Sequence, residues 1–368
     1  MYSKSEYCCC KINKNHTKIN NGFKYCKCNN NHSFKPSSSS SSSGAGVALR
    51  RRRYASQDDE SRPDHQTVLW PSSVPPPTRT LSSTSSDGRR TIKRALLCGV
   101  TYKNWKHRLQ GTVNDVRNMQ DLLINYFGYS KQNIRILTED ETKPEQIPTK
   151  KNIQNGLKWL VEGCTGGENL VFYFSGHGLR QPDFDMDELD GYDETICPVD
   201  FMEEGMITDN EINATIVSPL KNGVTLHAIV DACHSGTILD LAYVYDRNRR
   251  DEWLDNRPPS GARKETSGGL AISMSACGDD QFAADTSILT GKTMNGAMTF
   301  ILIHLVKTFG NLTYGRLLEY MHDTVQRANK QGCFSCSFLR KVLRYKQIQE
   351  PQLSSSEVFD VHKKIFTL

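Results

Sequence analysis

The chain has no long hydrophobic run. Its most apolar stretch, AMTFILIHLV (297–306), is about half the length that a bilayer-spanning helix needs. Nothing in the first thirty residues resembles the apolar centre of a secretory signal. These two absences argue against a membrane-spanning or secreted protein. Acidic residues are nearly missing from one end, with Glu6 alone among the first 57 positions. Transit peptides share that acid-poor composition, rich in Ser and Arg, so an organellar address stays open. The 12 cysteines lack regular spacing, and 368 residues is far too long for a small secreted disulfide scaffold. Free thiols in a reducing compartment, cytoplasmic or nuclear, are expected. No internal repeat is present.

What is there falls into two parts. Residues 1–90 hold 15 Lys and Arg against 6 Asp and Glu, which leaves 31 against 35 for the remainder. The arm is rich in Asn, Lys and Cys, then runs through SSSSSSS (37–43), RRRR (50–53) and PSSVPPPTRTLSSTSSDG (71–88). Such composition buries too little to fold, so a disordered basic arm is expected over 1–90. It lacks interleaved aromatics, and no nucleic-acid partner is expected.

From residue 91 the texture changes. Apolar runs at 94–100, 133–139, 169–178, 224–236 and 268–277 read as strands, with a short final one around EVFDV (357–361). Helical patterns lie at 114–127, at 150 onward behind the capping Thr149, and around 209–220, 295–309 and 314–330. Strands apolar on both faces, alternating with helices, predict an α/β fold with a mostly parallel central sheet covered on both sides.

Two strand ends carry reactive groups. One ends FSGHG, with His177 between glycines; the other ends DACHSG, with Cys233. Ligands in open α/β sheets bind beyond the carboxyl ends of the strands. A thiol beside an imidazole is what nucleophilic thiol catalysis requires, and the N–H groups of Gly178 and Cys233 can serve as an oxyanion hole. Period-two alternation puts Asp231 on the face of Cys233 and His234 on the other, so His234 reads as structural.

FYFSGHG, YDETICPVDF and DACHSG, in that order, resemble the type I metacaspases of plants, members of the caspase-like cysteine peptidases. The interval from His177 to Cys233 is close to the caspase spacing of roughly fifty. The likeness runs from about Arg94 to Asn329 and again from about Gln349 to Leu368. It implies a caspase-like fold, a His177–Cys233 dyad, and an acidic pocket of Asp115, Ser175 and Asp231 that takes Arg or Lys. It implies a calcium site of Asp193, Asp209, Asn210 and Asp240, where the family usually has Asp in place of Asn210. It further implies a large-subunit part over 91–246, a linker over 247–269 with self-cleavage at Arg263 or Lys264, and a small-subunit part over 270–368. Where some members carry an additional cysteine this chain has Thr112, so that thiol's role is absent. Cys98 reads as a buried apolar residue.

Other features depart from the family. In DFDMDELDGYDE (183–194), Asp183, Asp185, Asp187 and Glu194 match EF-hand positions, but Glu188 stands where that loop needs Gly. The stretch reads as a solvated acidic loop. The arm has CCC (8–10), CKC (26–28), His16 and His32 rather than paired Cys-x-x-Cys, so zinc there is the weaker reading. GCFSCSFLRKVLRYK (332–346), with Cys333 and Cys336, has no physical account. The expectation is a monomeric, calcium-dependent endopeptidase acting on peptides or proteins after Arg or Lys, with a role in regulated proteolysis or programmed cell death. The alternative is a catalytically silent regulator working through its arm.

Overall fold

A computed structural model describes residues 92–247, 251–258, 260–276, 296–329 and 351–368. The arm over 1–90, with its zinc reading, and the segment 332–346 lie outside them.

The strands are β1 (Lys93–Gly99), β2 (Ile134–Thr138), β3 (Asn169–Ser175), β4 (Gly178–Pro182), β5 (Tyr192–Ile196), β6 (Ile207–Thr208), β7 (Thr225–Asp231), β8 (Tyr243–Asp246), β9 (Glu252–Asp255), β10 (Leu270–Ser275) and β11 (Gln352–Ser355). The helices are α1 (Thr112–Phe127), α2 (Lys150–Val161), α3 (Phe201–Glu204), α4 (Asp209–Ile212), α5 (Ala297–Phe309) and α6 (Tyr314–Asn329). The main sheet runs β2-β1-β3-β7-β10-β11-β8-β9. Its first five strands are mutually parallel, and β11, β8 and β9 each pair antiparallel. A small antiparallel sheet, β4-β5-β6, stands apart from it.

The pleat divides the core. Ala95, Leu97, Val171, Tyr173, Ile229 and Ile272 point to one side and pack on α1, α5 and α6. Leu96, Cys98, Phe172, Phe174, Ala228 and Val230 point to the other and pack on α2 and the turns after α4. Successive strand residues are thus buried on opposite faces, which is why the strands read as continuous apolar runs. Thr149 caps α2 by accepting the N–H of Asn152 at 3.2 Å. AMTFILIHLV forms most of α5, a core helix, and among the described residues no helix is long and apolar enough to cross a membrane.

Three local expectations are corrected. The final strand is Gln352–Ser355, not 357–361: Val358 is exposed, and Phe359 packs on Trp253 and Tyr314 as an aromatic plug. Ser-rich QLSS is a poor strand former, yet it pairs with β10 and β8 on its two sides, and just after it Ser356 Oγ accepts the N–H of Ala271. The pattern around 209–220 holds only four α-helical residues before it widens into a π-turn over Asn213–Val217. The linker is not wholly a solvated connector, for Glu252–Asp255 joins the sheet as β9 and Trp253 Nε1 donates to the carbonyl of Phe359.

His227, inside β7, faces the α6 side with Nε2 2.5 Å from Tyr314 Oη. Burial, assisted by Lys364 and Lys93, pulls its pKa down to about 3. The fold therefore holds the neutral ring, whereas the unfolded chain takes up a proton below about pH 6.5. Stability contributed by this site is full above that pH and is lost as pH falls toward 3. Urea unfolding should lose on the order of 3 kcal/mol between pH 7 and pH 4 from His227 alone. The His227→Gln protein, which keeps a hydrogen-bonding side chain without the titration, should lose correspondingly less. Equal losses in both proteins would assign the acid sensitivity elsewhere.

Candidate active site

β1, β3 and β7 are neighbours and end at the same edge of the sheet. In the β3–β7 register Ser175 lies opposite Asp231, and Gly176 N–H donates to the Asp231 carbonyl at 3.3 Å. Two residues further along each chain stand His177 and Cys233. Both lie just beyond the strands, in bends, so alternation orders Ser175 and Asp231 but not the dyad itself. His234 takes a left-handed φ of 47°, which turns the chain immediately after Cys233. A side chain on Gly178 would run into the carbonyl oxygen of Cys233, so the two segments meet backbone to backbone.

Among the described cysteines, Cys98, Cys164 and Cys197 are buried and Cys233 is half-buried. Burial pushes the Cys197 thiol up to about 12 and raises that of Cys98 further. Both stay protonated, and Cys98 is the buried residue it was expected to be.

The residues that hold His177 were not legible as site residues. Its Nε2 lies 2.7 Å from the carbonyl oxygen of His107. Only an N–H can make that contact, which leaves Nδ1 as the basic nitrogen. The Tyr102 ring lies against the imidazole with centroids 4.6 Å apart, and Trp105 meets it edge-on at 5.3 Å. Tyr102 Oη accepts the backbone N–H of His177 at 2.9 Å and donates to the Cys197 carbonyl at 2.6 Å. Tyr102 has a left-handed φ of 55°, and the Glu139 carboxylate clamps it by accepting the N–H groups of Thr101, Tyr102 and Lys103. The one sequence signal was the aromatic loop YKNWKH, which follows β1 at the reactive sheet edge.

Asp115, Ser175 and Asp231 are brought together. Asp115 Oδ2 accepts from Ser175 Oγ at 3.1 Å and from Gly296 N–H at 2.7 Å. Asp231 Oδ2 accepts the N–H and the hydroxyl of Thr299 at 2.9 and 2.7 Å. Thr299 belongs to the first turn of α5, whose N–H groups and dipole favour a carboxylate. Its hydroxyl is given to Asp231, so Tyr173 Oη, 2.8 Å away, donates to Thr299 Oγ1. A side chain on Gly296 would collide with the Asp231 carboxylate and come within 3.1 Å of Asp115 Oδ2. Glycine there keeps the space between the carboxylates open. Thr299 and Gly296 carried no sequence signal.

The expected cation ligands do not share one point. Asp183, Asp187 and Asp193 bring carboxylate oxygens within 4.8 Å of one another, and Asn210 Nδ2 donates to Asp187 at 3.5 Å. Asp183 is spent within its own loop, accepting the N–H groups of Asp185, Met186 and Glu188. Asp193 Oδ2 accepts from Gln181, while its buried Oδ1 has no hydrogen-bond donor among the described residues. Asp209 accepts the N–H groups of Glu194 and Asn210, and burial, with Glu188 adding, pushes its carboxyl up to about 9. Asp240 is ion-paired with Lys264, whose Nζ also lies 3.0 Å from Glu188 Oε1. The donors are hard oxygens, as calcium requires, and part of the set already holds a cation. Of the two expected cleavage positions, Arg263 is exposed and Lys264 is fully buried.

Comparison with known proteins places this geometry in context. The family profile described as metacaspase, peptidase C14 domain, matches residues 93–242. Metacaspase-1 of Arabidopsis thaliana is 49% identical over 288 residues, covering 75% of this chain and 78% of the relative. Metacaspase-2 of the same plant is 44% identical over 303 residues, covering 75% and 72%. Metacaspase-3 is 45% identical over 279 residues, covering 75% of each.

Tyr102→Phe removes the acceptor for the backbone N–H of His177 while keeping the aromatic ring. Alkylation of Cys233 by iodoacetamide at pH 7, followed by peptide mass mapping, should slow about tenfold, with the melting temperature little changed. An unaltered rate would mean that the hydroxyl does not position the imidazole.

Proposed function

The chain belongs to the metacaspase family, with its plant type I members, and is a cysteine peptidase of the C14 class whose substrates are proteins; from this premise we propose a calcium-stimulated endopeptidase that cuts after Arg or Lys through Cys233 and His177. The observation that carries the proposal is the β3–β7 register, which sets Ser175 opposite Asp231 and so delivers both reactive residues to one sheet edge.

His177 Nδ1 takes the thiol proton of Cys233, and the thiolate adds to the scissile carbonyl. The N–H groups of Gly178 and Cys233 receive the oxyanion. Collapse expels the amine, which takes the proton from His177, and leaves a thioester on Cys233. Water, deprotonated by His177, then releases the acid. Asp115 and Asp231 are buried carboxylic side chains, and an Arg or Lys side chain entering beside Gly296 would pair with them. An acidic side chain would add a third carboxyl group to the same space.

Asp193, Asp209, Asn210 and Asp240 would hold calcium, which when bound supplies the positive charge that keeps rim carboxylates from repelling each other. Support comes from the oxygen donor set and from the buried Asp193 oxygen that has no donor among the described residues. Asn210 contributes an amide where the family usually has a carboxylate, so activation in the millimolar range is expected. Self-cleavage falls at Arg263 or Lys264, and the activity belongs to regulated proteolysis or programmed cell death.

Cys233→Ala and His177→Ala should each lower hydrolysis of Arg- and Lys-terminated fluorogenic peptides by roughly a thousandfold or more, with melting unchanged. Peptides ending in Asp should stay uncut by the unaltered protein. Full turnover by folded Cys233→Ala protein would sink the mechanism, and a preference for Asp would refute the acidic pocket. Asn210→Asp should move the calcium midpoint lower by roughly tenfold. Insensitivity to chelator, or an unmoved midpoint, would remove the calcium assignment.

A further inference from the structure

Lys264 stands out from its surroundings. Its neighbours Arg263 and Glu265 are exposed, whereas Lys264 has no exposed surface. A fully buried lysine is rare unless paired, because the long stem lets the ammonium reach water. Here the stem carries the charge inward, to Asp240 and to Glu188 Oε1. The linker is therefore pinned to the active-site rim by one side chain.

Asp240 is held firmly by its backbone. It has a left-handed φ of 50°, its N–H donates to the Thr237 carbonyl, and its own carbonyl accepts Asn213 Nδ2 at 2.9 Å. Thr237 in turn donates to Glu194 at 2.7 Å. Only the Asp240 side chain is left to reorient. Elsewhere in the rim, the Asp193 carboxylate lies within 4.8 Å of that of Asp187, to which Asn210 Nδ2 donates. The four residues proposed to bind calcium are thus divided, and Lys264 holds the Asp240 share. Gathering them around one ion requires Asp240 to leave the ammonium. A divalent ion beside a retained ammonium would set like charges against each other in a poorly solvated site.

We propose that Lys264 is a built-in counter-cation of the rim, mutually exclusive with calcium at Asp240, so that metal binding expels Lys264 and opens the Lys264–Glu265 bond to cleavage. This rests on the calcium reading above and adds to it a coupling between metal and linker. Coupling of this kind is reciprocal: the ammonium weakens calcium binding as much as calcium weakens the ion pair. Calcium then controls self-processing through the substrate segment as well as through the rim. The Arg263–Lys264 bond, with Arg263 exposed, does not depend on that release.

The test uses the full chain carrying Cys233→Ala, which cannot cut itself. Surface amines are acylated with sulfosuccinimidyl acetate in chelator and in calcium, and modification is read residue by residue by mass spectrometry, with exposed Lys151 as the internal reference. Lys264 should be protected in chelator and modified about tenfold more in calcium, while Lys151 stays constant. By calorimetry, Lys264→Met in the same background should bind calcium about tenfold more tightly. Calcium binding with Lys264 equally protected in both conditions would overturn the switch and leave the calcium reading standing. No calcium binding by either protein would overturn both. Acylation is performed on the native lysine, so it decides the matter even where the Lys264→Met chain does not fold.

Discussion

The parallel pairing of β3 with β7 is the constraint on which the site depends. A slip of one residue would turn Ser175 and Asp231 to opposite faces of the sheet. It would also carry His177 away from the bend that holds Cys233. The register is fixed by what the strands bury, since Tyr173 and Ile229 face α1, α5 and α6 while Phe172, Phe174, Ala228 and Val230 face α2. Core packing and reactive geometry are therefore one choice. The placement of His177 and Cys233 follows from the same choice, through the glycines beside His177 and the left-handed His234 after Cys233.

Two clusters of buried carboxylates flank that edge, and they are stabilised in different ways. Asp115 and Asp231 are met by hydroxyls and by N–H groups at the start of α5, which offer partial charges and no full cation. The rim cluster instead contains a whole opposite charge, Lys264, against Glu188 and Asp240. Burial opposes the Lys264 charge, yet Asp240 and Glu188 outweigh it and hold the ammonium above its ordinary range. The first arrangement is built from dipoles alone. The second suits a site already filled.

The parts legible in the sequence were those set by short-range pattern. Continuous apolar runs such as RALLCGV and NLVFYFS gave the parallel core, and glycines beside His177 and after Cys233 marked the strand ends. What remained hidden depends on contacts across long separations. Thr299 stands 68 residues from Asp231, and Lys264 stands 76 from Glu188. Neither residue type signals such a role, because threonine in a helix and lysine in a polar linker are ordinary. The short strands β4, β5, β6, β8, β9 and β11 were missed for a related reason. Their residues are polar or mixed, and neighbouring strands rather than intrinsic preference hold them. EVFDV misled in the opposite direction, since its apolar residues fasten a loop to Trp253 and Tyr314 instead of forming a strand.

Backbone strain supplies the last link between fold and site. Five described non-glycine residues have left-handed φ, and three of them, Tyr102, His234 and Asp240, belong to the imidazole support, the thiol bend and the rim. Each such residue costs of order 1–3 kcal/mol and persists only where its surroundings over-determine it. Tyr102 is over-determined by the Glu139 carboxylate and by its own hydroxyl, which joins His177 to Cys197. Asp240 is over-determined by Asn213 and Thr237, which fix its main chain and leave its carboxylate as the one movable part. His234 follows a strand end that is fixed from both sides by β3 and β10. Strain is thus concentrated where a side chain must be aimed, and the rigid sheet beneath is what allows the bends above it to hold reactive groups in place.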